Sequence, residues 1–85
     1  ENKRIDNFFI YPNPARDNIW LNTSIESGDA SVEIHDISGR LIYLNEKLLI
    51  TDHRLDINTS NFQSGVYFIR LSAGGSSVTK KLIIN

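Results

Sequence analysis

Apolar and polar residues alternate along much of this chain, which is the pattern of β-strands that bury one face. Three pairs of apolar positions show it best: Ile19 and Leu21, Val32 and Ile34, and Leu55 and Ile57. No segment keeps the period of a helix, and turn residues recur at roughly ten- to thirteen-residue intervals. We therefore predict seven strands, at residues 5–11, 17–23, 30–36, 40–45, 53–58, 65–72 and 76–84.

The composition of the turns predicts how neighbouring strands connect. The sequence DISG at residues 36–39 has a side-chain acceptor first and glycine last, which predicts a hairpin between the third and fourth strands. The sequence AGGS at residues 73–76 predicts a hairpin between the sixth and seventh strands, because paired glycines tolerate positive φ. In residues 58–65, Ser/Thr caps and a terminal glycine enclose only four residues, too few for an independent helix, so we expect one helical turn with Phe62 as its buried residue.

Two segments, 41–44 and 66–71, are apolar on both faces, which predicts central strands or strands whose second face is covered. The prolines of the YPNP sequence at residues 11–14 fix φ and lack backbone donors, so they end the first strand. Seven short strands without a covering helix can bury their faces only by packing one sheet on another. The predicted fold class is all-β, an antiparallel β-sandwich.

Composition bounds the class of protein without naming a function. Eighty-five residues make one small domain, and 40% hydrophobic with 22% charged residues is typical of globular proteins. The net charge of −1 gives no electrostatic footprint for nucleic acid, so we expect no nucleic-acid partner. The absence of cysteine excludes a disulfide scaffold and a thiolate metal site.

Residue types used in catalysis are present but form no motif. His35 and His53 lie beside the turn residues Asp36 and Asp52, where a surface imidazole is the simpler interpretation. The carboxylates are spread over turns and polar faces, with neither a paired motif nor a calcium loop. We therefore predict no enzyme and assign no catalytic, cofactor-binding or metal-binding residue.

The aromatic residues Trp20, Tyr43 and Tyr67 suit either of two roles. They could form a platform for a sugar, but in a domain this small aromatic residues are more often core residues or cross-strand pairs. Since Ile19 and Leu21 are assigned to the core, the indole of Trp20 faces the other way. We expect Trp20 to be the best exposed aromatic residue.

Four motifs in order resemble a known family: YPNP at 11–14, VEIHDISGR at 32–40, GVYFIRL at 65–71 and TKKLIIN at 79–85. Together they resemble the C-terminal sorting domain of the type IX (Por) secretion system of Bacteroidota. The resemblance covers residues 11–85 and implies the immunoglobulin-like form of the β-sandwich.

The resemblance also implies a function, that of a non-catalytic address read after export to the periplasm. It implies that the outer-membrane translocon carries the attached cargo to the cell surface or into the medium. In this family a sortase-like protease commonly removes the domain, and the cargo is released or linked to surface lipopolysaccharide. Residues 1–7 would then be the end of a linker from the cargo, with the cut at or before them, and residues 8–85 the sorting domain.

The final hairpin is the candidate recognition element. A free terminal edge strand is a template for strand addition by a receptor, and it also leaves open a weak dimer through edge strands. The candidate residues share this hairpin; they are Gly65, Val66, Tyr67, Lys80, Lys81, Leu82, Ile83 and Ile84. The alternative is that Gly65, Tyr67, Leu82 and Ile84 are simply turn and core positions. Lys80 and Lys81 alternate in direction, so at least one ammonium faces solvent.

A second functional hypothesis is a carbohydrate-binding or spacer β-sandwich of a large exported enzyme. A spacer can stand anywhere in a precursor, whereas an address of this family is terminal. We expect a terminal address here, because Asn85 directly follows the last apolar run. The charged start at residues 1–6 carries no secretory signal, so we also expect a longer precursor upstream.

Overall fold

The structure, a computed structural model, describes residues 8–24, 30–46 and 53–85. Every regular element in these ranges is a strand, and the seven strands lie at the predicted positions. They are β1 (Phe8–Tyr11), β2 (Asn18–Thr23), β3 (Ala30–Asp36), β4 (Leu41–Asn45), β5 (Arg54–Asn58), β6 (Gly65–Ala73) and β7 (Ser76–Ile84). Residues 5–7 of the first predicted strand lie outside the described residues.

The strands form two antiparallel sheets, which confirms the predicted β-sandwich. One sheet has three strands in the order β1-β2-β5, and the other has four in the order β4-β3-β6-β7. The β3–β4 and β6–β7 pairs are the two hairpins that the DISG and AGGS turns predict. Across the described ranges, no helix is long and apolar enough to span a membrane.

The inward positions of both sheets make one core. These side chains alternate with more exposed ones along β2, β3, β5, β6 and β7, as the period of two requires. The fully buried apolar residues include Phe8, Ile19, Leu21, Val32, Ile34, Ile57, Ile69, Leu71 and Leu82. Each such side chain stabilises the fold by about 1.5–3 kcal/mol relative to an exposed position.

The β3–β4 turn is held by the side chain of Asp36. Its Oδ1 accepts hydrogen bonds from the Ser38 hydroxyl (2.7 Å), the Ser38 amide (3.0 Å) and the Arg40 amide (2.9 Å). Gly39 takes φ of +92°, a left-handed conformation that favours glycine. The hydrogen bond from the Ser38 side chain, followed by that from the Arg40 amide, lowers the pKa of the Asp36 carboxyl below its usual value.

The connector between β5 and β6 differs from the predicted helical turn. One hydrogen bond, from the Phe62 amide to the Thr59 carbonyl (3.0 Å), closes a single turn, and no residue here is helical. Phe62 is half-buried, with its ring centroid 5.2 Å from that of Tyr67. The fully buried residue is Thr59, whose hydroxyl donates to the Arg16 carbonyl at 2.9 Å. A polar side chain is buried here because it has a hydrogen-bond partner.

The segment 41–44 is neither central nor covered, so that prediction is wrong, whereas β6 is central as predicted. Strand β4 is the edge of its sheet, and Leu41 and Leu44 are 47% and 45% exposed. The register with β3 shifts between Ile34 and His35, so Ile42 contacts the core while the two leucines face outward. The apolar residues on both faces of segment 41–44 therefore belong to an edge strand with one exposed apolar face.

Candidate recognition surface

The C-terminal hairpin is the longest strand pair among the described residues. Strands β6 and β7 pair from Gly65 opposite Ile84 to Ala73 opposite Ser76. Because β6 also pairs with β3 over seven positions, the hairpin is fixed in the sheet on one side. Its other side, β7, is the edge of the sheet.

Three of the candidate residues lie in the core. Leu82 is fully buried, and Tyr67 and Ile84 are nearly so. The Tyr67 hydroxyl donates a 2.6 Å hydrogen bond to the Gln63 carbonyl, so the polar end of this buried ring is satisfied. These three side chains hold the hairpin against the opposite sheet, and a partner could not reach them in the folded domain.

Val66, Lys81 and Ile83 lie on the outer face of the sheet. Val66 and Ile83 are opposite one another and half-buried, and Lys81 is exposed opposite Phe68. Gly65, at the start of β6, has φ of +152° and is exposed. Of the candidate residues, one lysine, one glycine and an apolar pair are therefore accessible on this side of the hairpin.

The two lysines point in opposite directions, as the alternation predicts. Lys80 lies opposite the buried Ile69 and is half-buried. Its ammonium is 5.8 Å and 5.9 Å from the ring centroids of Phe8 and Phe9, within the range of cation–π attraction. Lys80 thus packs against β1 of the other sheet, and Lys81 is the lysine that faces solvent freely.

The terminal part of β7 is not the free edge that the sequence predicts. The Asn13 side chain donates from Nδ2 to the Lys81 carbonyl and accepts at Oδ1 from the Ile83 amide, both at 3.0 Å. The Ala15 amide donates to the Ile83 carbonyl, and the Asn85 amide donates to the Ala15 carbonyl, both at 2.8 Å. The β1–β2 connection therefore occupies the outward backbone groups of this part of β7.

Sequence reasoning missed Asn13. The available signal was an asparagine between two prolines, because its side-chain amide has the donor and acceptor of a peptide group and the prolines have no N–H. The Tyr11–Pro12 and Asn13–Pro14 peptide bonds are both cis.

An open depression of about 380 Å³ lies beside the start of β6. It is lined by the β3–β4 turn, including Asp36 and Arg40, by residues 61–64 of the connector, and by Gly65, Val66 and Tyr67. Arg40 forms an ion pair with Asp36 at 3.3 Å, so its guanidinium is partly neutralised at this site. Three candidate residues thus border the same concave surface.

The three aromatic residues weighed as a sugar platform do not share a face. Tyr43 and Tyr67 contact the core, whereas Trp20 lies on the outer face of the other sheet. Trp20 is half-buried. The centroid of its ring is 5.7 Å from that of Tyr11 and 5.6 Å from the guanidinium of Arg54. The expectation that Trp20 is the most exposed aromatic is wrong, because Phe9 is 61% exposed.

The histidines are not arranged for catalysis in the part of the chain that the structure describes. His35 is half-buried, with Nε2 3.5 Å from Oε1 of Glu33. His53 is exposed and has φ of +61°. No group of three or more potential metal-ligating side chains occurs among residues 8–24, 30–46 and 53–85.

Comparison with known families supports the first of the two functional hypotheses, the sorting domain. The family model for the secretion system C-terminal sorting domain matches residues 9–85. The chain belongs to this family. The match confirms the resemblance to type IX sorting domains, a family of non-catalytic signals that direct export toward the cell surface or secretion.

The sorting domain is also similar to an ulvan lyase of Nonlabens ulvanivorans, with 31% identity over 86 residues. This match covers 100% of the chain but 16% of the lyase, so the chain spans about one sixth of that relative's length.

Among solved structures, the sorting domain is similar to a DUF3244 family protein from Bacteroides vulgatus with an immunoglobulin-like β-sandwich fold. The TM-score is 0.74 at 16% identity, covering 96% of this chain and 90% of the other. The likeness confirms the immunoglobulin-like fold.

Proposed function

We propose that this sorting domain is the address that directs an attached cargo protein through the outer-membrane translocon of the type IX secretion system. The observation that carries the proposal is the family match, which covers residues 9–85 and so takes in part of β1 and all of β2 to β7. The translocon is the partner that reads the address, and the cargo is the partner covalently attached upstream.

The fold suits an address because the described strands form one core among themselves. Both sheets bury their inner faces against one another, from Phe8 in β1 to Ile84 in β7. A domain that folds by itself presents the same surface behind different cargoes. The reachable candidates for that surface are Gly65, Val66, Lys81 and Ile83, with Lys80 reachable in part.

The division of the precursor follows from the same function. Residues 1–7 are the end of a linker, residues 8–85 are the sorting domain, and a sortase-like protease cuts at or before the linker's end. The domain passes through the periplasm, and the cargo reaches the cell surface or the medium. The ulvan lyase relative supports an exported enzyme as one kind of cargo.

A reporter fusion tests the proposal. Residues 1–85 are placed behind a signal peptide and a fluorescent protein in a bacterium with a type IX system. We expect extracellular fluorescence. We also expect the intact mass of the released reporter to show that its chain ends at or before residue 7. An intact, folded fusion retained in the periplasm would refute the address.

A further inference from the structure

The hydrogen bonds on β7 limit how a partner can read the terminal strand. In antiparallel sheets, strand addition requires outward backbone N–H and C=O groups that are unpaired. The Lys81 carbonyl, both backbone groups of Ile83 and the Asn85 amide are already bonded to Asn13 and Ala15. A partner strand could add along 81–85 only by displacing the β1–β2 connection.

The side chains on the outer face remain accessible. One cross-strand row runs from Leu41 in β4 through His35 and Phe68 to Lys81 in β7. Strands are about 4.8 Å apart, so this row is about 14 Å long. The Val66–Ile83 pair lies one step further along the same face. We call these six residues the Lys81 face.

The Lys81 face carries a positive charge at its β7 end, where Lys81 lies. Glu33, in the neighbouring row, is 3.1 Å from the Arg70 guanidinium and 3.5 Å from His35 Nε2, so its carboxylate is engaged. Lys81 forms no ion pair with any residue of the described ranges. Its neighbour Phe68 is 39% exposed, so the Lys81 ammonium lies beside apolar surface.

We propose that the translocon component recognises the Lys81 face by its side chains and does not add a strand to 81–85. The partner surface carries a carboxylate that pairs with Lys81, and apolar side chains that cover Phe68 and Ile83. Desolvation beside an apolar patch strengthens such a charged pair relative to one in open water. This inference rests on the proposed function and adds the chemistry of the partner.

The test uses the full-chain reporter fusion and measures extracellular fluorescence relative to wild type. Lys81→Glu reverses the charge on the face, and Arg16→Glu is its control, with the same change of net charge at an exposed position outside the face. Phe68→Thr removes the apolar contact with a residue compatible with strands. Thermal melting of each purified fusion shows that the domain is folded.

A proline tests strand addition separately. The outward groups of β7 belong to the odd-numbered residues 81, 83 and 85, so Thr79 also directs its N–H outward. Proline is tolerated where a strand's N–H faces solvent, and it cannot donate to an added strand. Thr79→Pro therefore blocks addition along the part of the edge that Asn13 and Ala15 leave open.

We expect about a tenfold loss of export for Lys81→Glu, a clear loss for Phe68→Thr, and export within twofold of wild type for Arg16→Glu and Thr79→Pro. Export of a folded Lys81→Glu fusion at the wild-type level would overturn the Lys81 face, as would loss of export in Thr79→Pro alone. If Lys81→Glu does not fold, Lys81→Gln replaces it under the same criteria. Retention of the wild-type fusion would instead refute the proposed function.

Discussion

The side chain of Asn13 accepts a 3.0 Å hydrogen bond from the Ile83 amide, across 70 positions of sequence. With the bond to the Lys81 carbonyl, one amide ties the first inter-strand connection to the last strand. We expect Asn13→Ala to destabilise the domain by about 1–3 kcal/mol, since each lost hydrogen bond contributes about 0.5–1.5 kcal/mol. Thermal melting measures the loss, and hydrogen exchange should show the Ile83 amide opening faster relative to that of Ile69.

Asn61→Ala is the matched control for this prediction, because Asn61 is an exposed asparagine in a turn. It should leave the melting temperature and the exchange of Ile83 nearly unchanged. Equal exchange of Ile83 in the Asn13→Ala variant and wild type would mean that the side-chain clamp does not hold β7.

The buried hydroxyl of Thr59 gives a second prediction. Thr59→Val keeps the shape but removes the donor to the Arg16 carbonyl, and an unmade buried hydrogen bond costs about 1–3 kcal/mol. Thr59→Ser keeps the donor and loses one methyl group, worth about 0.8 kcal/mol. Urea unfolding should therefore rank valine below serine. The reverse order would show that packing of the methyl group, and not the hydrogen bond, is what Thr59 supplies.

The Asp36 turn predicts a pH dependence. Its folded-state pKa is lowered, first by the Ser38 side chain and then by the Arg40 amide, so the unfolded chain binds a proton more readily. The stabilising contribution is thus complete above the usual pKa of Asp, near pH 4, and is lost as pH falls through the lower folded value. Asp36→Asn should be less stable than wild type at pH 7, with the difference shrinking on acidification. A constant difference from pH 7 to pH 2 would contradict this.

Trp20 tests the carbohydrate hypothesis, because it is the chain's single tryptophan and its emission is unambiguous. Tyr11 and Arg54 already pack against its ring. We therefore expect its fluorescence to stay unchanged when soluble oligosaccharides are titrated into the domain. A saturable fluorescence change in the wild-type domain, together with calorimetric binding of the same sugar that is lost in Trp20→Ala, would support a sugar-binding role.

The strands were predictable because local signals mark them: apolar and polar residues alternate, as at Ile19 and Leu21, and turn residues bound each strand. The edge position of β4 was not predictable, because a sequence with apolar residues on both faces is the same for a central strand and for an exposed edge strand. Leu41 and Leu44 become exposed through sheet order and a register shift, which are tertiary properties.

The candidate site was predictable in outline for a similar reason. Alternation separates Lys81 from Lys80 and buries Leu82, so the directions of side chains on β7 follow from sequence. The closure of its edge by Asn13 does not, because a side-chain hydrogen bond between residues 70 positions apart depends on the folded geometry. The role in secretion was indicated only by the resemblance of four ordered motifs to a family, because alternation and turn residues predict structure and not function.

Dependence of export on the translocon tests the address most directly. The reporter fusion is expressed in a type IX-competent strain and in its translocon-deficient derivative, with a fusion ending before residue 8 as control. We expect extracellular reporter only from the full fusion in the competent strain, and folded full fusion in the periplasm of the deficient strain. Equal extracellular reporter from both strains, or from the control fusion, would contradict a type IX address in residues 8–85.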